Sequence, residues 1–180
     1  MPDGNTVPNP AAPEPVLLSL CEHPNTYVRR QLARNPALPT AALRHLATDP
    51  DQHVRSAAAY HPHTPPGLLN KLAKEKNWEV RQAIAANPHS PPGVLERLSR
   101  DQHPLVQRDI ARNPTLAPEL LSRLARDNSP QVRQAAAGNP HTPLDTLLQL
   151  TEDRDPSVCQ AAQTNPALPP YVLAMWQLTR

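Results

Sequence analysis

Apolar positions along the chain recur on a fixed stride. Val28, Val54, Val80, Val106, Val132 and Val158 each lie 26 residues from the next. Leu17, Leu43, Leu69, Leu95, Leu121, Leu147 and Leu173 keep that stride in a second register. Leu20, Leu46, Leu72, Leu98, Leu124 and Leu150 keep it in a third, whose next place is taken by Trp176. Prolines mark the joints at Pro10, Pro36, Pro62, Pro88, Pro114, Pro140 and Pro166; Asn precedes each one except Pro62, where His61 stands. Self-similarity at a fixed period is the signature of stacked repeats. The register predicts a flexible leader, 1–8, followed by a single repeat domain, 9–180. Its units are 9–34, 35–60, 61–86, 87–112, 113–138, 139–164 and a partial 165–180, with no insertion between them.

Each unit reads as two helices with identifiable stops. In 87–112, Pro91-Pro92 starts the first helix, because proline is tolerated in a first turn. Val94, Leu95 and Leu98 then form an apolar stripe at helical spacing. Asp101 to Pro104 makes a turn, and a second helix to about Arg112 buries Val106, Ile110 and Ala111. Asn113-Pro114 ends it, since the residue before proline is pushed out of helical geometry and an Asn side chain can satisfy a nearby backbone group. The second helices are short and alanine-rich, as in Ala57-Ala58-Ala59 and Ala135-Ala136-Ala137. Neither helix can hide its stripe alone, so the core must lie between neighbouring units.

Composition narrows this picture. With 25 Pro, no Phe and 3% aromatic residues, a thick aromatic core is out of reach. The periodic placing of the prolines makes them punctuation rather than a sign of disorder. A net charge of +2 does not by itself call for a nucleic-acid partner. No stretch approaches the length of a membrane span, and Val16 to Leu20 is too short for a signal peptide. A cytoplasmic protein without a membrane partner is the expectation. Cys21 and Cys159 give no disulfide or metal signature; five repeats apart, at roughly 8–10 Å per packed helix, they are too distant to bridge.

The pattern N-P-x-x-P-x-x-x-L-x-x-L-A-x-D followed by V-R-x-x-A-A, clearest from Asn35 to Ala59, resembles the bacterial leucine-rich repeat variant (LRV) family, which is distantly similar to HEAT repeats. Asn139 to Ala162 follows it more loosely, with Thr151 and Cys159 departing from it. The resemblance covers about residues 9–180. It implies an all-α, right-handed superhelical solenoid of two-helix repeats without a β-sheet, in which some segments are 3-10. The unit is slightly longer than the usual family repeat, which suggests a fuller first helix. The cysteine-rich iron–sulfur module that can precede such repeats has no counterpart among these 180 residues.

Several ladders carry candidate chemistry. Arg29, Arg55, Arg81 and Arg133 form a column interrupted by Gln107 and Cys159. It reads either as an anion-binding stripe or as scaffold paired with the turn acids Asp49, Glu75, Asp101, Asp127 and Asp153. The regular recurrence of those acids favours pairing. On the first helices, Lys71/Lys74, Arg97/Arg100 and Arg123/Arg126 place two cations three residues apart and could track a phosphate backbone. Cations are favoured near helix C-termini in any case, an acid follows each pair, and no aromatics interleave for base stacking. His63, His89 and His141 sit in the loops a full repeat apart, too far to share a metal. Cys21 replaces a small alanine and reads as a packed thiol; nothing near Cys159 argues for thiolate activation. No phosphate loop or nucleophile–base set appears, so neither catalysis, a cofactor nor a metal is expected.

One face of the second helices varies from unit to unit. It carries Tyr27, Arg30 and Arg34, then His53, Ser56 and Tyr60, then Glu79, Gln82 and Ala86. Leu105, Arg108 and Arg112 follow, and then Gln131, Gln134 and Gly138. In a HEAT-like superhelix the second helices line the concave side, through which solenoids bind. Either these positions vary because nothing constrains them, or they form a binding surface; on the second reading the chain is a non-catalytic scaffold for a protein or peptide, with Tyr27, Arg30, Arg34, His53, Tyr60, Gln82, Arg108 and Arg112 as candidate contacts. The alternative is nucleic-acid binding through the first-helix stripe. At the C-terminal edge, Trp176 either plugs the last interface from the Leu column or marks a self-association site.

Overall fold

A computed structural model describes residues 12–178, apart from the side chains of residues 176 and 177. The leader 1–8 and the proposed Trp176 plug lie outside the described residues. Every regular element among them is an α-helix, and the fold is all-α. No residue among them has a positive φ apart from any glycine, and no glycine has one either. No described helix is long and apolar enough to cross a membrane.

The chain divides into two compact units, residues 1–94 and 95–180. The first contains α1 (Glu14–Leu20), α2 (Thr26–Leu32), α3 (Thr40–Leu46), α4 (Gln52–Tyr60), α5 (Pro66–Leu72) and α6 (Trp78–Ala86). Odd-numbered helices are the first helices of a repeat and even-numbered ones the second. Leu43, Leu46, Leu69 and Leu72 point into the core together with Val54, Ala58, Ala59, Val80 and Ile84, all 2% exposed or less. Helix α4 packs chiefly on α6, so second helix stacks on second helix. The alanines make that stacking close: with only a methyl between backbones, interhelical distance shrinks and dispersion contacts multiply.

The division falls within α7 (Pro92–Leu98), and the second unit continues with α8 (Pro104–Arg112), α9 (Pro118–Leu124), α10 (Pro130–Gly138), α11 (Leu144–Leu150), α12 (Pro156–Gln163) and α13 (Pro170–Leu178). Helix α10 is flanked by α8 on one side and α12 on the other. Leu121, Val132, Ala136, Ala137, Leu147 and Val158 are fully buried there.

The stops work as the residue order predicts. His61, Asn87, Asn113 and Asn139, each before a proline, take extended backbone with ψ of 133°, 118°, 124° and 127°. Asn25, Asp51, Asn77 and Asp155 cap the N-termini of second helices, their side chains accepting from the N–H two residues on. In the four middle repeats the second helix is the longer, nine residues in α4, α6, α8 and α10 against seven in α3, α5, α7 and α9. The first helix is pinned between a starting proline and a tight turn, whereas the second runs on until the Asn-Pro joint. Among the described residues no helix is 3-10; i to i+3 bonds occur at helix starts, as from Val16 N–H to Pro13 C=O, and at closing turns, as from Thr48 N–H to His45 C=O.

Candidate functional site

The arginine column is scaffold wherever its hydrogen bonds can be traced in full. Arg29 grips Asp49 through Nε (2.7 Å) and Nη2 (3.0 Å), while Nη1 donates to the carbonyls of His23 and Pro24. Arg55 does the same with Glu75 and with the carbonyls of Asp49 and Pro50. Arg133 repeats it with Asp153 (2.7 and 2.8 Å) and the carbonyls of Asp127 and Asn128. Arg81 gives Nη1 to the carbonyls of Glu75 and Lys76. Arg29, Arg55 and Arg133 each tie their own turn to the acid of the next repeat, using the fork that makes arginine suited to planar bidentate pairing. Burial alone would raise the Asp49 carboxyl, but Arg29 and the Asp51 N–H outweigh it and hold the group below the usual carboxylate range. The bond from Arg133 does the same for Asp153. At Cys159 the thiol donates to the Asp153 carbonyl, 2.9 Å, which is the acceptor an arginine Nη1 uses in other repeats.

A second ladder, with no ionic signature in the sequence, also links the repeats. The joint asparagines are buried: Asn87 0% exposed, Asn113 and Asn139 2%, Asn165 3%. Asn139 Nδ2 donates to the carbonyls of Ala111 (2.8 Å) and Asn113 (3.0 Å), one repeat back, and its Oδ1 accepts from the His141 N–H. Asn87 and Asn165 repeat the pattern. His61, the exception in the column, keeps both functions: Nδ1 accepts from the His63 N–H (3.1 Å) and Nε2 meets the Asn35 carbonyl at 2.9 Å. Since a carbonyl only accepts and an N–H only donates, the proton sits on Nε2. Asn35, the first rung, has no acceptor for its buried Nδ2 among the described residues.

The varied second-helix face is surface, but its members differ. Tyr27 and Tyr60 are exposed at 48% and 57%. Arg34 is exposed, Arg30 half-buried, and neither makes an ion pair among the described residues. His53 Nδ1 lies 3.5 Å from Glu79 Oε2, close enough for an ion pair although not in hydrogen-bond geometry. Ser56 Oγ reaches the Glu79 carbonyl, so the columns of adjacent repeats do lie side by side. In the second unit, Arg108 bonds Asp109 at 2.8 Å and Arg112 lies 3.8 Å from the same carboxylate. Gln82 is half-buried. Arg112, Gln134, Gly138 and Ala161 border a shallow cavity of about 320 Å³ on this face.

The first-helix stripe is divided among separate cavities. Lys71 and Lys74 line one with Glu75, and Arg100, Arg123 and Arg126 line another with Glu119 and Asp127. Arg123 Nη2 bonds the Ser99 hydroxyl. Arg97 is exposed on α7. His63, His89 and His141 are exposed loop residues. The Cys21 thiol is packed, 3% exposed, and burial pushes its pKa up to about 11, far from the range of a nucleophile. No group of side chains among the described residues could hold a metal ion.

Comparison with known proteins agrees with this geometry. A model described as leucine rich repeat variant matches residues 27–51 and 130–155, and one described as leucine rich repeat variant domain matches 54–110 and 82–138. None of the curated proteins matches. A solved structure described as a leucine-rich repeat variant with a novel repetitive protein structural motif is 28% identical, with a TM-score of 0.65 over 92% of this chain and 71% of that one. A crystal structure of an engineered protein is 16% identical with a TM-score of 0.49, over 91% and 96%, and carries no argument. The repeat, its two ladders and these matches agree: the chain belongs to the leucine-rich repeat variant family.

Proposed function

We propose that this repeat protein is a non-catalytic scaffold that binds a protein or peptide through the exposed face of its second helices. The observation that carries this reading lies in the first unit. The whole chain has three tyrosines, and two of them, Tyr27 and Tyr60, stand in solvent on this face, 48% and 57% exposed. Beside them Arg30 and Arg34 have no acidic partner among the described residues. Tyrosine and arginine are the residue types enriched where proteins dock, because each brings area and a polar tip at small entropic cost. By contrast the arginines at positions 29, 55 and 133 are consumed by the scaffold. Nucleic-acid binding through the first-helix stripe is less well supported, because Glu75, Glu119 and Asp127 share the cavities of its cations and weaken the field a phosphate backbone would meet.

A photo-reactive residue at position 60 of the full chain, against the same residue at position 97, tests the face. Crosslinks to a partner from position 60, lost when Arg30 and Arg34 are replaced by Ala, are expected. Equal crosslinking from both positions would sink the assignment. Titration with duplex and single-stranded nucleic acid at two salt concentrations decides the other reading, because phosphate contacts must weaken with salt.

A further inference from the structure

Three cavities are built from one set of register positions. Around Arg29 the space is about 380 Å³, lined also by His45, Thr48 and Asp49. Around Arg55 it is about 350 Å³, lined by Ala47, Lys71, Lys74 and Glu75. Each of those positions plus 52 falls on Ser99, Gln107, Arg123, Arg126 and Asp127, the lining of a third cavity of about 710 Å³. Around Arg29 and Arg55 the space is 350–380 Å³; around Gln107 it is about twice that. The larger cavity lies at the rung where Gln107 stands in place of arginine.

The carboxylate acceptor of that rung lines the cavity. Asp127 accepts one hydrogen bond to its carboxylate, from the Ser129 N–H at 2.8 Å, and none from a side chain among the described residues. Gln107 makes no side-chain hydrogen bond among them. Its shorter amide does not supply the fork with which Arg133 holds Asp153. The carbonyl of Gln102 takes the register place of Pro50 and Asn128, which accept from the Nη1 of Arg55 and Arg133.

We propose that this cavity receives a guanidinium from outside the chain, namely an arginine side chain of a peptide or protein partner. The incoming group completes the column as Arg55 and Arg133 do internally, pairing with Asp127, whose carboxylate lines the cavity. Arg100, Arg123 and Arg126 at the rim do not forbid it, because Arg55 already occupies a cavity it shares with Lys71 and Lys74. A planar fork suits the site better than a point charge, since the acceptor is a carboxylate edge that two parallel N–H bonds can meet. The site is distinct from the second-helix face, so each stands or falls alone.

The test is titration of the full chain with N-acetyl-arginine amide, followed by backbone amide chemical shifts. Saturable shifts are expected at residues 99–101, 107 and 122–128. The uncharged citrulline counterpart should cause none, and the lysine counterpart should bind about tenfold more weakly. Gln107→Arg, which supplies the guanidinium from within, should weaken binding by about tenfold or more, as should Asp127→Asn. Gln107→Arg restores the local pattern of the other repeats and stays informative even if Asp127→Asn melts. Several results would overturn the proposal: no saturable shift, equal response to arginine and citrulline, or undiminished binding by Gln107→Arg. So would shifts at these residues from inorganic phosphate and not from the arginine probe.

Discussion

The asparagine rungs and the arginine rungs both tie a repeat to its neighbour, yet the chain treats the two regions differently. The asparagine column runs through buried backbone and keeps its chemistry at Asn87, Asn139 and Asn165. Its one replacement, His61, still donates to a carbonyl of the previous repeat and accepts from the N–H two residues on. The arginine column lies at the turns, closer to water, and gives up its residue twice, at Gln107 and Cys159. The difference follows from what is stranded when a rung is lost. Without Asn139, the Ala111 and Asn113 carbonyls would lose their donor in a site sealed from water, at a full desolvation cost. Without a guanidinium at position 107, Asp127 remains half-buried and can be hydrated. Burial, more than bond number, sets which rung can be spared.

Removing a buried rung should therefore have the largest effect. Asn139→Ala deletes two donated bonds and one accepted bond, and is expected to cost about 3 kcal/mol in urea unfolding. If it costs no more than an exposed substitution such as Gln160→Ala, the amide ladder is decoration. Arg133→Met should come next, at about 2 kcal/mol, because its side chain and that of Asp153 are only 6% and 10% exposed. Arg55→Met, whose pair with Glu75 is 17% and 23% exposed, should cost less, about 1 kcal/mol. The ranking Asn139, Arg133, Arg55 is the claim; an inverted order would break the argument from burial.

The parts of this design legible in the sequence are those in which unlike residues recur together. Arginines and acids on the same stride announce an ionic link, and Asn-Pro announces a helix stop. The asparagine's second task was hidden, because its acceptors are backbone carbonyls, which carry no residue identity. A clue was present in the exception. His61 is another side chain with both a donor and an acceptor, a strange replacement for a mere helix stop. On the second-helix face, the sequence marks the variable column but not the rotamers that engage Arg108 and Arg112 with Asp109 and bring His53 to Glu79. Likewise Gln107 was visible as an interruption, whereas the doubled cavity beside it depends on packing across two helices.

His61 offers a way to sharpen the comparison without removing a rung. Burial, chiefly, lowers its pKa below the ordinary histidine value, with nearby His63 adding to the effect and the Asn35 carbonyl opposing it. The folded chain thus binds this proton less readily than the unfolded one. The associated stability is present above about pH 6.5 and is lost as pH falls from there towards the lowered folded value. Protonation also takes the Nδ1 lone pair that accepts from the His63 N–H. His61→Asn, restoring the residue of the other joints, should flatten stability between about pH 6.5 and 5 while leaving it little changed at pH 8. A wild-type profile that is already flat there, or a variant profile as steep as wild type, would show that the imidazole is not the sensitive rung.

The smallest effect is expected where the chain has already dispensed with a rung. Gln107→Arg places a guanidinium opposite Asp127 and should stabilise the chain by about 0.5–1 kcal/mol, the range for a half-exposed bidentate pair. Filling empty volume favours the change, while the rotamer entropy lost by a long side chain opposes it. The sign is informative because most substitutions destabilise. A double-mutant cycle isolates the cause: in an Asp127→Asn background the gain should fall to nearly nothing, since the fork then faces an uncharged amide. If Gln107→Arg stabilises equally in both backgrounds, filling the cavity explains the gain and the carboxylate is incidental. If it destabilises in both, the column is interrupted at position 107 because the packing there excludes arginine. Only a gain that depends on Asp127 shows a rung whose acceptors remain while its donor has been given up.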